Sequence, residues 1–391
     1  MRSKFFTGAL ALTFALSIAG VSMAQEKKVE EKTPVDVSGK LYIQWGKDLK
    51  RQDGSTKGEN TNSFDLTRSY ISFGKKIDDI WSVKVTLDAG NDTGGSDTRY
   101  VVFVKNAYGQ AERDFGGVKA NFQFGMIGTA AIGHIDKVSD YRWLNNNYLD
   151  ASKSLLYKTD KSIGQSIDTS ADLGTGLSID IMKMVKLTGQ VTNGEGYKKT
   201  DDNDQTKQDD GKAYLGMITL TPVEGLSLAG FYKKQDTKQD QKYNEKKNNI
   251  VFYGGTAAYS TGLIKVGASY VLSDYSKADN TEGAEVQAMK YTIVDAFLLA
   301  NLESAIGVPI LLSGRYALGK SKFDKVKAAD EAIKGKEAEV TIMAAGAGYA
   351  FNKNVRFMAY YEDQKAKKSD DLGIDWKQSN RKVYVKSEFV F

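Results

Sequence analysis

The sequence predicts an all-β chain, a transmembrane antiparallel β-barrel of about sixteen strands with one long loop folded inward. Three observations point there. The chain opens like an exported protein, apolar and polar residues alternate through most of residues 35–391, and the connections between alternating segments are long and short in turn.

Export is read from residues 1–24. Arg2 and Lys4 precede an apolar run from Phe5 to Gly20, and the small residues Ser22 and Ala24 occupy the two positions a signal peptidase reads, so a cleaved signal peptide is predicted over 1–24. The run is short for a spanning helix, which needs about 20 residues. Its removal takes away two basic and no acidic residues, lowering the formal charge from +5 to near +3, too weak an excess for a nucleic-acid partner. With no cysteine, a lipoprotein anchor and a disulfide framework are both excluded. Residues 25–34, with the Lys and Glu run Glu26 to Lys32, are predicted to be a short disordered periplasmic tail. Beyond the signal the most apolar stretch is Ile293 to Ala300, already interrupted by Asp295. Hydrocarbon leaves no backbone N–H or C=O unpaired, so an exported membrane chain without apolar helices crosses only as a closed sheet.

The strands run in order over 35–391. Segments 36–47 and 62–76 open the barrel. In 80–89, Trp81, Val83, Val85 and Leu87 alternate with Ser82, Lys84, Thr86 and Asp88. Segment 98–110 is β-branched and fits lipid with either face. In 117–127, Val118, Ala120, Phe122, Phe124 and Met126 oppose Lys119, Asn121, Gln123 and Gly125. Leu173, Leu177, Ile179 and Ile181 set 170–181, and Val185, Leu187 and Val191 set 185–193. Segments 211–222 and 226–236 come next; 248–260 again fits with either face. Ile264, Val266, Ala268, Tyr270 and Leu272 oppose Lys265 and Ser269 in 263–275. Segment 287–300 is also compatible with partial helix, and 310–318, 337–350, 355–364 and 380–391 complete the set. The connections then alternate between 8–42 residues and 2–9 residues. Short periplasmic turns with longer outer loops, and an even strand count that returns both termini to the periplasm, are the habits of such barrels. Pro34 precedes the first strand, and Pro222 and Pro309 fall at short turns, where a missing N–H costs no ladder bond. A soluble barrel alternates too, with its polar face outside, but the polar faces here carry Lys, Asp and Gln beside Gly as a hydrated lumen would, and the signal, the terminal Phe and the loop asymmetry would all have to be coincidental. Trp81, Tyr259, Phe389 and Phe391 lie near the periplasmic ends, where an aromatic girdle belongs.

Val383, Val385, Phe389 and Phe391 share a face and end the chain on an aromatic residue, which resembles the C-terminal signature of outer-membrane proteins. Phe64 to Phe73 (FDLTRSYISF), Val191 to Gly196 (VTNGEG) and Thr221 to Leu226 (TPVEGL) resemble segments of Gram-negative porins, among them most closely the phosphate-selective porin O and P type. The dense arginine ladder of that type is not evident here. The resemblance implies a homotrimer in the cell outer membrane, in contact with lipid and lipopolysaccharide, passing small hydrophilic or anionic solutes by passive diffusion.

Enzymatic chemistry finds little support. The only histidine, His134, stands two residues from Asp136, and a serine triad needs a base oriented by a carboxylate. A barrel hydrolase and a structural or adhesive barrel without an open pore are the competing classes. The acidic cluster Asp201 to Asp210, and Asp88, Asp92 and Asp97, lack the spacing of a calcium loop, so no metal and no cofactor are predicted.

By parity, Lys40, Arg68, Lys84, Lys105, Lys119, Lys186, Lys233, Lys265, Arg315, Arg356, Lys382 and Lys386 are predicted to face the lumen. They stand against Asp36, Asp88, Asp172, Asp180, Glu339, Glu362 and Glu388, a basic majority that leans toward anions. The segment 128–169 is predicted to be the constriction loop. It comes after the fifth strand, where sixteen-stranded porins place theirs, and Ile132, Ile135, Val138, Tyr141, Trp143, Leu144, Tyr148, Leu149, Leu155 and Leu156 are too apolar for a solvated loop. Asp136, Lys137, Asp140, Arg142, Asp150 and Lys153 would then border the pore. The competing arrangement is an outer cap packing on a neighbouring subunit.

Overall fold

The computed structural model describes residues 34–52, 62–91, 100–150, 167–194, 196–197, 212–238, 247–277, 287–325, 335, 337–368 and 378–391. The signal peptide, Lys153, Leu155, Leu156, Asp92, Asp97 and the acidic run 201–210 lie outside the described residues. Sixteen strands are present: β1 (Asp36–Gln52), β2 (Asn62–Lys76), β3 (Trp81–Asn91), β4 (Tyr100–Asp114), β5 (Val118–Gly128), β6 (Ala171–Ile181), β7 (Val185–Thr192), β8 (Ala213–Leu220), β9 (Leu226–Lys238), β10 (Lys247–Ser260), β11 (Ile264–Lys277), β12 (Gln287–Asn301), β13 (Ile310–Lys325), β14 (Glu337–Asn352), β15 (Val355–Lys368) and β16 (Gln378–Val390). Among the described residues two helices interrupt them, α1 (Ala130–Ser139) and the single turn α2 (Glu303–Ile306). Every strand pairs antiparallel with its sequence neighbours, and β1 closes on β16. This is the transmembrane barrel that the alternation predicts.

Closure is sealed at the short-turn end. Gly39 donates to the Phe391 carbonyl at 2.8 Å and accepts from the Phe391 N–H at 3.1 Å. A methyl group at Gly39 would overlap the Phe391 ring, so the terminal aromatic residue takes the space that glycine leaves. Alongside it, Tyr349, Phe351, Phe357 and Phe389 form a chain of edge-on ring contacts with centroids 5.0–5.7 Å apart. Such rings suit the interface between lipid and water.

Strand faces obey the alternation closely. Val83, Val85, Phe124, Leu187, Ile218, Tyr270 and Val385 are exposed on the outside of the barrel, while Asp88, Ser269, Lys386 and Glu388, of opposite parity, are buried within. The two segments that fit lipid either way resolve differently. In β4 a bulge opposite Thr86 and Leu87 leaves Lys105 without a ladder partner, so the inward parity changes partway along the strand. A bulge re-aims a side chain in this way. In β10 both faces are apolar: Tyr253 and Tyr259 are exposed outside, whereas Ile250, Phe252 and Ala258 are buried inside.

Two expectations are corrected. Glu339 pairs with Lys320 at 3.5 Å, opposite it in the β13–β14 register, on the face carrying exposed Tyr316 and Met343. Its neighbours Ala338, Val340 and Ile342 take the inner positions, because the inner face here is apolar. β13 also runs to Lys325 rather than ending near 318; the ladder to β14 continues through Lys322, where both faces are polar and alternation no longer marks a strand. Segment 287–300 is strand throughout, with helix only in α2 beyond it.

Candidate functional site

The chain leaves β5 at Gly128 and enters α1, an element the alternation does not predict. Ile132, Ile135 and Ser139 recur at helical spacing, and with Ala131 they are the buried residues of α1. Thr129 makes no side-chain cap to α1. Gln190 of β7 supplies it instead, accepting from the Ala130 N–H at 2.9 Å and donating to the Gly128 carbonyl at 2.8 Å. A helix start leaves N–H groups without partners, and this side chain serves one of them. The Thr129 hydroxyl donates to the Thr169 carbonyl, and the Thr129 N–H to the Ser170 carbonyl at 3.2 Å, so the two limbs of the loop are tied at their root.

The buried face of α1 packs on the inner wall. Ala131, Ile132 and Ile135, with Tyr148 and Leu149, share one cluster with Leu215, Phe231, Phe252, Val271 and Ile293 of β8 to β12. Farther on, Tyr141, Trp143 and Leu144 join Phe297, Leu299, Leu311, Met358 and Tyr360. Each fully buried side chain of this size contributes about 1.5–3 kcal/mol. The loop therefore lies inside the barrel, against β8 to β16, and the inner wall is apolar where the loop covers it.

Polar hooks fix its path. α1 ends at Asp140, whose φ of 53° is the left-handed region that non-glycine residues rarely adopt. The Asp140 carboxylate accepts from Arg356 Nη1 and Nη2 at 2.9 and 3.0 Å and from Lys265 Nζ at 3.1 Å. Burial works against its charge, but Arg356 and Lys265 outweigh it and hold the carboxyl below its ordinary value. Arg356 also pairs with Glu388 and lies 4.3 Å from the Trp143 ring. Lys386 donates to the Leu144 carbonyl and to Asn145 Oδ1 at 3.0 Å. Arg315 grips Asp295 at 2.9 and 2.7 Å, donates to the Asn146 carbonyl at 3.2 Å and sits over Tyr148. On the return limb Asp168 pairs with Lys233 at 2.5 Å. Asp172 accepts from the N–H groups of Gly194 at 2.5 Å and Gly196 at 3.3 Å, which gives the Asn-Gly segment its local role. Both glycines have positive φ.

Arg142 points away from that wall. It bridges Asp136 at 2.6 Å and Asp150 at 3.0 Å within the loop, and its Nε reaches Tyr70 Oη of β2 at 3.4 Å. Tyr70 also accepts from Lys105 Nζ at 2.8 Å, and beside it Arg68 pairs with Asp88 at 2.9 Å. The loop and the β2–β4 wall thus meet across the lumen, with charged groups on both sides.

The predicted residues consequently divide. Asp136, Arg142, Asp150, Arg68 and Lys105 gather at that meeting point. Asp140, Lys265, Arg315 and Arg356 instead anchor the loop, and Arg315 is only 6 % exposed beneath it. Lys119 pairs with Glu112 at 2.7 Å, while Lys137 and Lys186 line a cavity below α1. Lys84 lies on the inner row with Thr86, toward the short-turn end. Sequence patterning does not mark Gln190, Tyr70 or Asn145 as functional. The run Ile132, Ile135, Val138 is a legible helical signal for α1, but nothing in the chain identifies a distant glutamine as its cap. His134 lies on α1, and among the described residues no group of three metal-ligating side chains occurs.

A sequence profile described as Gram-negative porin matches residues 9–369. No curated protein sequence matches the chain. Among solved structures it is similar to OmpT of Vibrio cholerae, with a TM-score of 0.58 at 10% identity over 94% of this chain and 100% of that one. The outer membrane channel DcaP of Acinetobacter baumannii matches with a TM-score of 0.58 at 13% identity, over 93% and 99%. OmpF of Salmonella typhi, in complex with daunomycin, matches with 0.57 at 14% identity, over 94% and 100%.

Proposed function

Because the chain belongs to the Gram-negative porin family, a group of outer-membrane barrels, we propose that it passes small hydrophilic solutes and ions by passive diffusion through a lumen narrowed by the inward loop. The observation that carries this reading is the loop held inside the barrel on the inner wall of β8 to β16, with Arg142 reaching Tyr70 of β2 at 3.4 Å and so narrowing the lumen. Solutes keep most of their hydration in such a passage, so the protein contributes width and field. Charged groups lining the section then set selectivity.

Where the loop meets the wall, Arg68, Lys105 and Arg142 are balanced by Asp88, Asp136 and Asp150, and the cavity below α1 adds Lys137, Lys183 and Lys186 against Asp180. That balance supports a lean toward anions. The likeness to the phosphate-selective porin O and P type does not extend the proposal to a phosphate preference, because the arginine ladder of that type is not evident in this sequence; the exposed outer face suits a homotrimer embedded in lipid and lipopolysaccharide. Planar-bilayer conductance of the refolded protein tests the reading, with reversal potentials in a chloride gradient and then in a phosphate gradient. Ohmic channels with an anion-directed reversal potential are expected; absence of conductance would overturn the diffusion pathway. Phosphate potentials larger than chloride ones would show a phosphate preference despite the missing arginine ladder.

A further inference from the structure

Below α1, toward the short turns, a cavity of about 660 Å³ separates the helix from the inner face of β4 to β9. Its wall is built from two register rows. Lys119, Asp180, Lys186 and Thr219 succeed one another across β5, β6, β7 and β8. Asn121, Ser178 and Thr188 make the next row. The opposite side is α1, with Gly133, His134 and Lys137.

The charges are not balanced. Lys119 is taken up by Glu112 at 2.7 Å. Lys137 from the helix and Lys186 from the wall make no ion pair among the described residues, and Lys183 adds a third ammonium at the β6–β7 turn; Asp180 is the remaining carboxylate. Burial, with Lys137 and Lys186 nearby, pushes the His134 imidazole down to about 4, so it is neutral at ordinary pH and the positive field comes from the lysines. Its Nε2 is buried without a hydrogen-bond partner among the described residues. Gly133 leaves the helix surface open, since a Cβ there would meet nothing within 4 Å.

We propose that this cavity is a binding subsite for a small polyhydroxylated organic anion of the sugar-acid class, on the periplasmic side of the loop. Two unpaired ammonium groups from opposite sides suit one carboxylate, and the row of amide and hydroxyl side chains suits the hydroxyls of the same molecule. A bare inorganic anion would use the lysines and ignore that row. A neutral sugar would do the reverse. The proposal rests on the porin reading and names a solute class for it.

The test is current block of the refolded channel in chloride, with gluconate, acetate or glucose added on the periplasmic side. Gluconate is expected to block at a concentration about tenfold lower than either control, an ordinary margin for one added set of polar contacts. Lys137→Gln and Lys186→Gln should each weaken gluconate block about threefold, the scale of a partly exposed ion pair. Thr188→Val should narrow the margin between gluconate and acetate, and Gly133→Phe, which fills the open side, should abolish gluconate block. Equal block by all three solutes, or gluconate block unchanged in the double lysine variant, would overturn the subsite while leaving a conducting porin. A folded barrel with no chloride current would overturn the porin reading, and the subsite with it.

Discussion

Asp140 holds the end of α1 against the wall through three charged hydrogen bonds, and it does so from a backbone conformation that costs free energy in a residue with a Cβ. Hydrogen bonds to charged groups contribute about 1.5–3 kcal/mol, so Asp140→Asn should loosen the loop and raise both open-channel noise and mean single-channel conductance, read in planar bilayers. The depressed carboxyl sets the pH dependence. A lowered folded value means that docking is fully supported above the ordinary carboxylate value of 3.8 and is lost only as pH falls through the lower one. Wild-type conductance should therefore stay quiet from neutral pH to about pH 4 and become noisy below it; noise beginning near pH 6 would contradict the assignment. At the lipid face, Val85 is exposed and its neighbour Lys84 lies on the inner row. A charge facing the bilayer midplane costs on the order of 2–4 kcal/mol. Val85→Arg should sharply reduce refolding yield, judged by heat-modifiable electrophoretic migration, and Lys84→Glu should not. Equal damage would mean that the two faces are exchanged.

The loop is an element with its own core, and that core is the inner wall of the barrel. Its helix start is completed by Gln190 from β7, its middle by Arg315 and Lys386, and its return by Lys233. The strands do not depend on it in the same way, because each is held on both sides by a continuous ladder. Deleting residues 134–150 should leave a folded barrel, while conductance and the size cutoff for neutral sugars both rise in bilayer and liposome-swelling measurements. An unchanged cutoff in a folded deletion variant would place the narrow section elsewhere. Wetting of Phe252, Val271 and Ile293, now covered by α1, should lower the thermal transition of the variant as well.

Across the whole molecule, the barrel faces three solvents: lipid outside, water in the lumen, and its own loop along β8 to β16. The third explains why so many inward residues are apolar in a protein whose passage is wet. It also leaves charge without an ion pair among the described residues on the remaining wall, where Lys84 and Lys186 stand. Reversal potentials in a salt gradient should favour chloride over potassium by a few fold, and Lys186→Glu should shift the preference toward cations; a cation-selective wild type would refute the lean toward anions argued from the lumen charges.

Strand number, pairing order and most of the outer faces were legible in the sequence by itself. Lipid and a ladder impose a period of two that each segment carries locally, as in Trp81 to Asp88 and Val118 to Met126. Ladder continuation to Lys325 and the bulge at Lys105 were not legible, since neither leaves a change in hydrophobicity. The loop's apolar residues announced that it must pack on something. Only the tertiary structure decided which of its charges reach across the lumen and which become anchors, because Asp136 on α1 and Asp140 at its C-terminal cap are only four residues apart yet face different walls. The inner face of β10 was ambiguous for the same reason: a wall covered by protein carries the same apolar residues as one covered by lipid, and only the position of the loop tells them apart.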